Sequence, residues 1–341
     1  MGYSKVVLEE YGGPEVLKIK QETELPEPGP HEVRIRVQAS SVAFTDCLVR
    51  EGTYPGTRGL KPPMTPGYDL VGVVDKVGAA VTTLLVGQKV AELTVTGAYT
   101  EYVCLHENRL VPVPNELDSA EAVSMILSYM TAYQMLHRYA KVKRGDKVLI
   151  TGAGGAVGTA LLQLGQLEGL EMYGTESERK LNLVASLGAT PINYKTENVS
   201  QKVRELSGAG VDAVFDGVGD FIGSYKMLAP HGTLVRYGTA KSGTHWGTAT
   251  LLSLVGSGIW LALRQLFSKK SVPFYSIAPL RKKQAAWFRE DLTALFSLLQ
   301  QGKIKPVIAE RIPMREVARA HQLIENRGVK GKVVLMIEEK G

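Results

Sequence analysis

Residues 147–164 read KVLITGAGGAVGTALLQL, and three local patterns follow one another within them. Val148, Leu149 and Ile150 form the short apolar run expected of a parallel strand covered on both faces, after a turn at Lys143, Arg144, Gly145 and Asp146. Past the glycines the period changes. Val157, Leu161 and Leu164 recur at helical spacing with Ala160 beside them, which predicts a helix laying one face against the sheet. A diphosphate can reach backbone N–H groups at such a helix N-terminus only where no side chain keeps it away. The strict G-x-G-x-x-G pattern from Gly152 and Gly154 fails, because Val157 stands at its third glycine. A three-residue period of Gly152, Gly155 and Gly158 fits instead, with Ala156 and Val157 between the last two.

Residues 172–175 read as the next strand, with Glu176 at its carboxyl end. This is close to the spacing of about 20 residues at which an acid holds an adenosine ribose. The alternation continues through a helix at 179–187 stopped by Gly188, strand 191–194, helix 199–206, strand 211–216, and strands 234–237 and 272–277. The fold class predicted is α/β: a Rossmann doubly wound parallel sheet with its ligand at the carboxyl ends of the strands. Ser177, Val218 and Gly238, next to those strand ends, join the cofactor-binding candidates Gly152, Gly155, Ala156, Val157, Gly158 and Glu176.

At 341 residues the chain exceeds one typical domain, and its 44% hydrophobic and 22% charged residues are those of an ordinary globular protein. The net charge of +6 is dispersed; clusters at Lys269 and Lys270 and at Arg281, Lys282 and Lys283 predict a solvated face rather than a nucleic-acid surface. Two cysteines, Cys47 and Cys104, without metal-ligand spacing, indicate neither a disulfide framework nor a zinc site. No apolar leader opens the sequence, so a cytoplasmic location is expected. Residues 249–263, ATLLSLVGSGIWLAL, fall short of the ~20 residues that span a bilayer, and predict a buried, lid or subunit-contact segment rather than an anchor.

Before the nucleotide unit the pattern is that of an all-β region. Val33, Ile35 and Val37 alternate with charged residues, and strands are expected at 5–8, 16–20, 32–38, 71–77, 88–93 and 99–103. A helix over 115–139 opens on Asp118, Ser119, Ala120 and Glu121, a capping box with Asp in the Ser/Thr place. After 277 come a long helix at 283–301, a segment at 304–312, a helix at 314–326 and a closing strand at 332–337 that should return to the first domain. The domains expected are 1–124 with 277–341, β-rich and catalytic, and 125–276, dinucleotide-binding, with the active site in the cleft between them.

The segments YGGPEVL at 11–17, REGTYP at 50–55, PGYDLVG at 66–72, the glycine run, INY at 192–194 and GKIKP at 302–306 occur in order. With these the chain resembles the medium-chain dehydrogenase/reductase superfamily, in its zinc-free quinone oxidoreductase branch, which also holds zeta-crystallin, enone reductases and a synaptic-vesicle-protein subgroup. The resemblance implies a GroES-like first domain, a nicotinamide cofactor, hydride transfer and a homodimer. Zinc-dependent relatives hold their metal with a Cys three residues before the position of Asp46 and with a Gly-His-Glu triplet; here stand Ala43 and Gly67-Tyr68-Asp69. Quinone reductases commonly carry Asn at the place of Ala43 and Tyr at that of Leu48, so that only Tyr54 of the usual pocket is kept.

The catalytic candidates are Tyr54, which could donate a proton or stack on a flat substrate, and Thr131, which matches a hydroxyl residue beside the nicotinamide ribose in similar enzymes. A helix-interior Thr bonding to its own backbone is the alternative for Thr131, and a turn or cap role that for Asp46. The function expected is zinc-independent, NADPH-dependent transfer of hydride to a quinone or conjugated enone, with no metal bound. The alternative is a cofactor-binding regulatory or interaction protein with weak catalysis. Lys180 and Tyr194 stand where similar enzymes hold the 2′-phosphate of NADP, whereas Glu176 favours NAD. With Glu176 taken as exposed and able to swing away, at least roughly tenfold selectivity for NADPH is expected.

Overall fold

The computed structural model describes residues 2–239 and 248–337, with the backbone alone at 248–254. The chain divides into two compact units, Met1–Met130 with Ala278–Gly341, and Thr131–Ile277. In the second unit five parallel strands lie in the spatial order Thr190–Asn193, Glu171–Glu176, Lys147–Thr151, Val211–Asp216 and Leu228–Arg236. Val148, Leu149 and Ile150 are all buried, as a central strand with no solvent face requires. Leu149, Tyr173, Ile192, Val214 and Leu234 share one core with Phe221 and Tyr225. The helix Ala156–Leu167 buries Ala160, Leu161 and Leu164, as its period predicts.

The strand expected at 272–277 is reduced to two isolated bridges, Thr233 with Ser271 and Arg236 with Phe274. Pro273 between them has no N–H with which to continue a ladder. The long helix expected at 283–301 is present as Ala285–Gln300; a short helix Ile277–Lys283, not expected, precedes it and is separated from it where Gln284 leaves helical geometry at φ −131° and ψ 56°. The apolar segment 249–263 lies within the helix Thr248–Leu266. Leu261 is buried in the core, but Val255, Ile259 and Leu263 are exposed, so of the buried, lid and subunit-contact readings the first does not hold at 255–263; the side chains of 249–254 lie outside the described residues. Among the described residues no helix is long and apolar enough to cross a membrane.

In the first unit the sheet order is Ile308–Pro313, Lys332–Met336, Glu32–Val42, Leu70–Val77, Lys89–Glu92 and Val111–Pro112, with Tyr102–His106 also paired to Glu32–Val42. The strand expected at 99–103 thus lies a few residues later. Val333 to Met336 pair antiparallel with Val42 to Ala39, so a C-terminal strand completes a sheet begun near the N-terminus. Val33, Ile35 and Val37 bury one face while Arg34 and Arg36 lie half-buried on the other. The helical run 119–140 is capped by Asp118, whose carboxylate accepts from the N–H groups of Ala120 and Glu121. Its stretches Met125–Tyr129 and Met135–Ala140 are π-helical, and Thr131 lies between them.

Candidate functional site

In the dinucleotide unit the turn after Lys147–Thr151 needs glycine for two separate reasons. Gly152 sits at φ +66°, a left-handed conformation that other residues adopt at a cost. A Cβ on Gly158 would stand 2.5 Å from the carbonyl oxygen of Gly152 and 2.6 Å from Ala153, so the helix can lie this close to the turn only without a side chain. Gly155 is the N-cap and supplies no side-chain cap. The first-turn N–H groups, those of Ala156, Val157 and Gly158, therefore have no side-chain acceptor at the cap, which fits the demands of a diphosphate.

Glu176 is placed otherwise than expected. It is 7% exposed, not free in solvent. One carboxylate oxygen accepts from the Gly154 N–H at 3.3 Å and the other from the Ser177 N–H at 2.9 Å, with Lys180 Nζ 3.8 Å away. The reason is local: a Cβ on Gly154 would come within 2.9 Å of the Lys180 side chain and 3.3 Å of Glu176 Cγ, so the bare backbone of Gly154 lets both pack over the turn. Lys180 is likewise buried, at 8% exposure. The Tyr194 N–H donates to the Glu176 carbonyl at 3.2 Å while the Tyr194 ring stays 53% exposed. Arg179 is exposed and Ser177 half-buried. The structure thus brings Glu176, Ser177, Lys180 and Tyr194 to one strand end beside the glycine turn.

Val218 and Gly238 follow the ends of two neighbouring strands. Val218 Cγ2 lies 3.7 Å from where a Gly152 Cβ would be, and a Cβ on Gly238 would come 2.8 Å from the Gly217 carbonyl oxygen. Their organiser is Asp216, which sequence reasoning passed over. Fully buried, it accepts from the N–H groups of Val218 at 2.8 Å and Gly219 at 2.9 Å, from Thr151 Oγ1 at 3.1 Å and from Ser224 Oγ at 2.8 Å. An Asp followed by Gly217 and Gly219 at a strand end is an Asx-turn signal that could have found it.

In the first unit Tyr54 is paired, not merely stacked. Its hydroxyl lies 2.5 Å from that of Tyr68, the rings meeting edge to face at 5.8 Å. Burial raises the Tyr54 hydroxyl above the ordinary phenol range, the Tyr68 hydrogen bond lowers it and the charge of Asp46 raises it. Asp46 takes the cap role, accepting the Ala43 N–H at 2.9 Å. Its other oxygen is buried, and burial pushes its carboxyl up to about 7, opposed by the Ala43 N–H and the Tyr99 hydroxyl. Asp69 is buried too, accepting from the Ser41 N–H and hydroxyl at 2.8 and 2.7 Å, and Lys332, buried with its Nζ 3.1 Å from Ser128 Oγ, offsets the two carboxylates. Arg281, expected on a solvated face, instead bonds Glu92 at 3.0 Å and the Arg109 carbonyl at 2.8 Å.

Residues 29–115 match the alcohol dehydrogenase GroES-like domain, and residues 187–335 the zinc-binding dehydrogenase family. The chain is 33% identical over 332 residues to a quinone oxidoreductase of Pseudomonas aeruginosa, covering 96% of this chain and 97% of that one. It belongs to the medium-chain dehydrogenase/reductase superfamily, in its zeta-crystallin-like quinone oxidoreductase branch. As a member of this superfamily it is an oxidoreductase. The rat synaptic vesicle membrane protein VAT-1 homolog is 32% identical, over 97% of this chain and 83% of that one. Among solved structures, the human VAT-1 homolog-like protein superposes with a TM-score of 0.85 at 28% identity over all of both chains. The Escherichia coli quinone oxidoreductase complexed with NADPH does so with 0.84 at 26%, over 98% of this chain and 99% of that one. Among the described residues, no three His, Cys, Asp or Glu side chains are grouped to hold a metal ion.

Proposed function

We propose that the chain is a zinc-independent, NADPH-dependent reductase that delivers hydride to a quinone or conjugated enone, as a cytoplasmic homodimer. The observation that carries it is the Tyr54–Tyr68 hydroxyl pair. At the position of a metal-ligating histidine in zinc-dependent relatives stands a phenol committed to another phenol, and at the position of the cysteine stands the methyl of Ala43. No thiolate or imidazole is offered to zinc at those places. Without a Lewis acid, the acceptor must delocalise its own developing charge, which favours flat conjugated carbonyls.

A bound NADPH supplies the hydride. The glycine turn and helix Ala156–Leu167 would bind its diphosphate and Thr131 would orient its ribose, while Asp216 holds the neighbouring loop at Val218 and Gly219. Tyr54 donates a hydrogen bond to the acceptor oxygen, and Tyr68 fixes the direction of that hydroxyl. The test is NADPH oxidation against a panel of quinones, enones and simple ketones, with a chelator and with elemental analysis. Quinones or enones should react at least about tenfold faster than an unconjugated ketone, unaffected by chelation. Stoichiometric zinc, or faster oxidation of simple alcohols, overturns the proposal.

NADPH selectivity has a changed physical basis. Buried Glu176 cannot be screened by solvent; a 2′-phosphate has to take the Ser177 N–H and Lys180 from it, joined by the exposed Arg179 and Tyr194 ring. Charge-assisted contacts contribute about 1.5–3 kcal/mol each, and those made by Lys180, Arg179, the Ser177 N–H and the Tyr194 hydroxyl have to outweigh the loss of the 3.8 Å ion pair and of the 2.9 Å Ser177 N–H bond that Glu176 now holds. Fluorescence titration should show NADPH bound at least roughly tenfold tighter than NADH. Lys180→Ala should remove that difference and Glu176→Ala should enlarge it. NADH binding as tight as NADPH in the wild type would mean that Glu176 governs the site.

A further inference from the structure

The helix Thr248–Leu266 keeps an apolar stripe in water. Val255, Ile259, Leu263 and Leu266 recur three or four residues apart, all more than half exposed, and Phe267 beyond them is 88% exposed. At ~100° per residue they fall within one arc of the helix. On another side Leu261 is buried in the unit's core, with Trp260 packed against that core. The helix is therefore anchored along one edge while, among the described residues, Val255, Ile259, Leu263 and Leu266 form a second apolar face that stays exposed, a surface monomeric proteins rarely leave open.

Charge identifies what covers it. Between Asp220 and Glu290 the sequence contains no acidic residue, while the unit carries Lys226, Arg236, Lys241, Arg264, Lys269 and Lys270 there. Arg264 and Lys269 are exposed at the C-terminal end of the stripe, Arg264 with its guanidinium 5.3 Å from the centre of the Trp260 ring. Lys270 turns inward to the Tyr225 carbonyl at 3.1 Å and contributes less.

We infer that this face docks on a lipid surface with anionic headgroups, the helix lying in the interface with Ile259, Leu263, Leu266 and Phe267 inserted and Arg264 and Lys269 at headgroup level. The exposed apolar arc ends at two exposed cations, Arg264 and Lys269, which suits that partner.

The test is co-sedimentation of the full chain with phosphatidylcholine vesicles, with or without about one third phosphatidylserine. Binding to the anionic vesicles should be at least about tenfold stronger and should fall as salt is raised. Ile259→Asp with Leu263→Asp, and separately Arg264→Glu with Lys269→Glu, should each reduce it at least about tenfold. Neither pair should alter the circular dichroism or the vesicle-free oxidation of NADPH. Equal binding to both vesicle types, binding unchanged in the charge-reversed pair, or a dimer that the aspartate pair converts to monomer without any vesicle binding overturns the inference. The charge-reversed pair leaves the apolar face intact, so it decides the matter even if the aspartates disturb folding.

Discussion

Gly158→Val is expected to weaken nucleotide binding by at least about a hundredfold, or about 2.7 kcal/mol, and to lower thermal stability. A Cβ there would stand 2.5 Å from the Gly152 oxygen and 2.6 Å from both Cα and C of Ala153. All three are backbone atoms, so no flexible side chain can yield and the helix Ala156–Leu167 has to move off the turn. That motion carries the first-turn N–H groups away from where a diphosphate would sit, and Gly152 at φ +66° leaves the turn little freedom to follow. Gly155→Ala is the control. Its Cβ would stand 3.3 Å from the Gly152 oxygen, a contact relieved by a few tenths of an ångström, and Gly155 has φ −85°, which alanine accepts. Fluorescence titration with NADPH and thermal melting measure both variants. Wild-type affinity in a folded Gly158→Val protein would place the cofactor elsewhere.

Asp46→Asn should stabilise the protein increasingly as pH rises from about 4 to above 7, by up to about 4 kcal/mol. Burial, with Asp69 nearby, raises the folded carboxyl from 3.8 to about 7, so between those values the folded chain binds more protons than the unfolded one. Stability from this group is therefore full below pH ~4 and is lost as pH rises through the folded value. Asparagine keeps an oxygen for the Ala43 N–H and never ionises. His321 acts in the opposite sense, since burial pushes it down to about 3 and the unfolded chain protonates first, so its contribution is lost as pH falls below about 6.5. Both proteins carry His321, and their difference isolates Asp46. Urea unfolding of wild type and variant across pH 4–8 measures the gap. A gap that stays constant with pH would show that Asp46 is ionised throughout.

The α/β fold was legible at 147–164 because a buried parallel strand, a glycine turn and a helix each leave a period that depends only on neighbouring residues. The cap at Asp118 and the alternation of Val33, Ile35 and Val37 are local in the same way. Family motifs, being contiguous, were equally readable. Tertiary structure alone decided what depends on partners far apart in sequence. Glu176, at the end of its strand, was taken as exposed and able to swing away, yet Gly154, without a Cβ, lets it fold over the turn. Tyr68 was noticed only as a missing histidine, and its bond to Tyr54 arises from two separate loops meeting in space. Asp216 was one more strand-end residue until Thr151 and Ser224 converged on it. Hydropathy marked 249–263 as apolar, but which face meets the core follows from where Leu261 lands on the sheet's packing surface. Burial and pairing are properties of the assembled chain; periodicity is a property of the sequence.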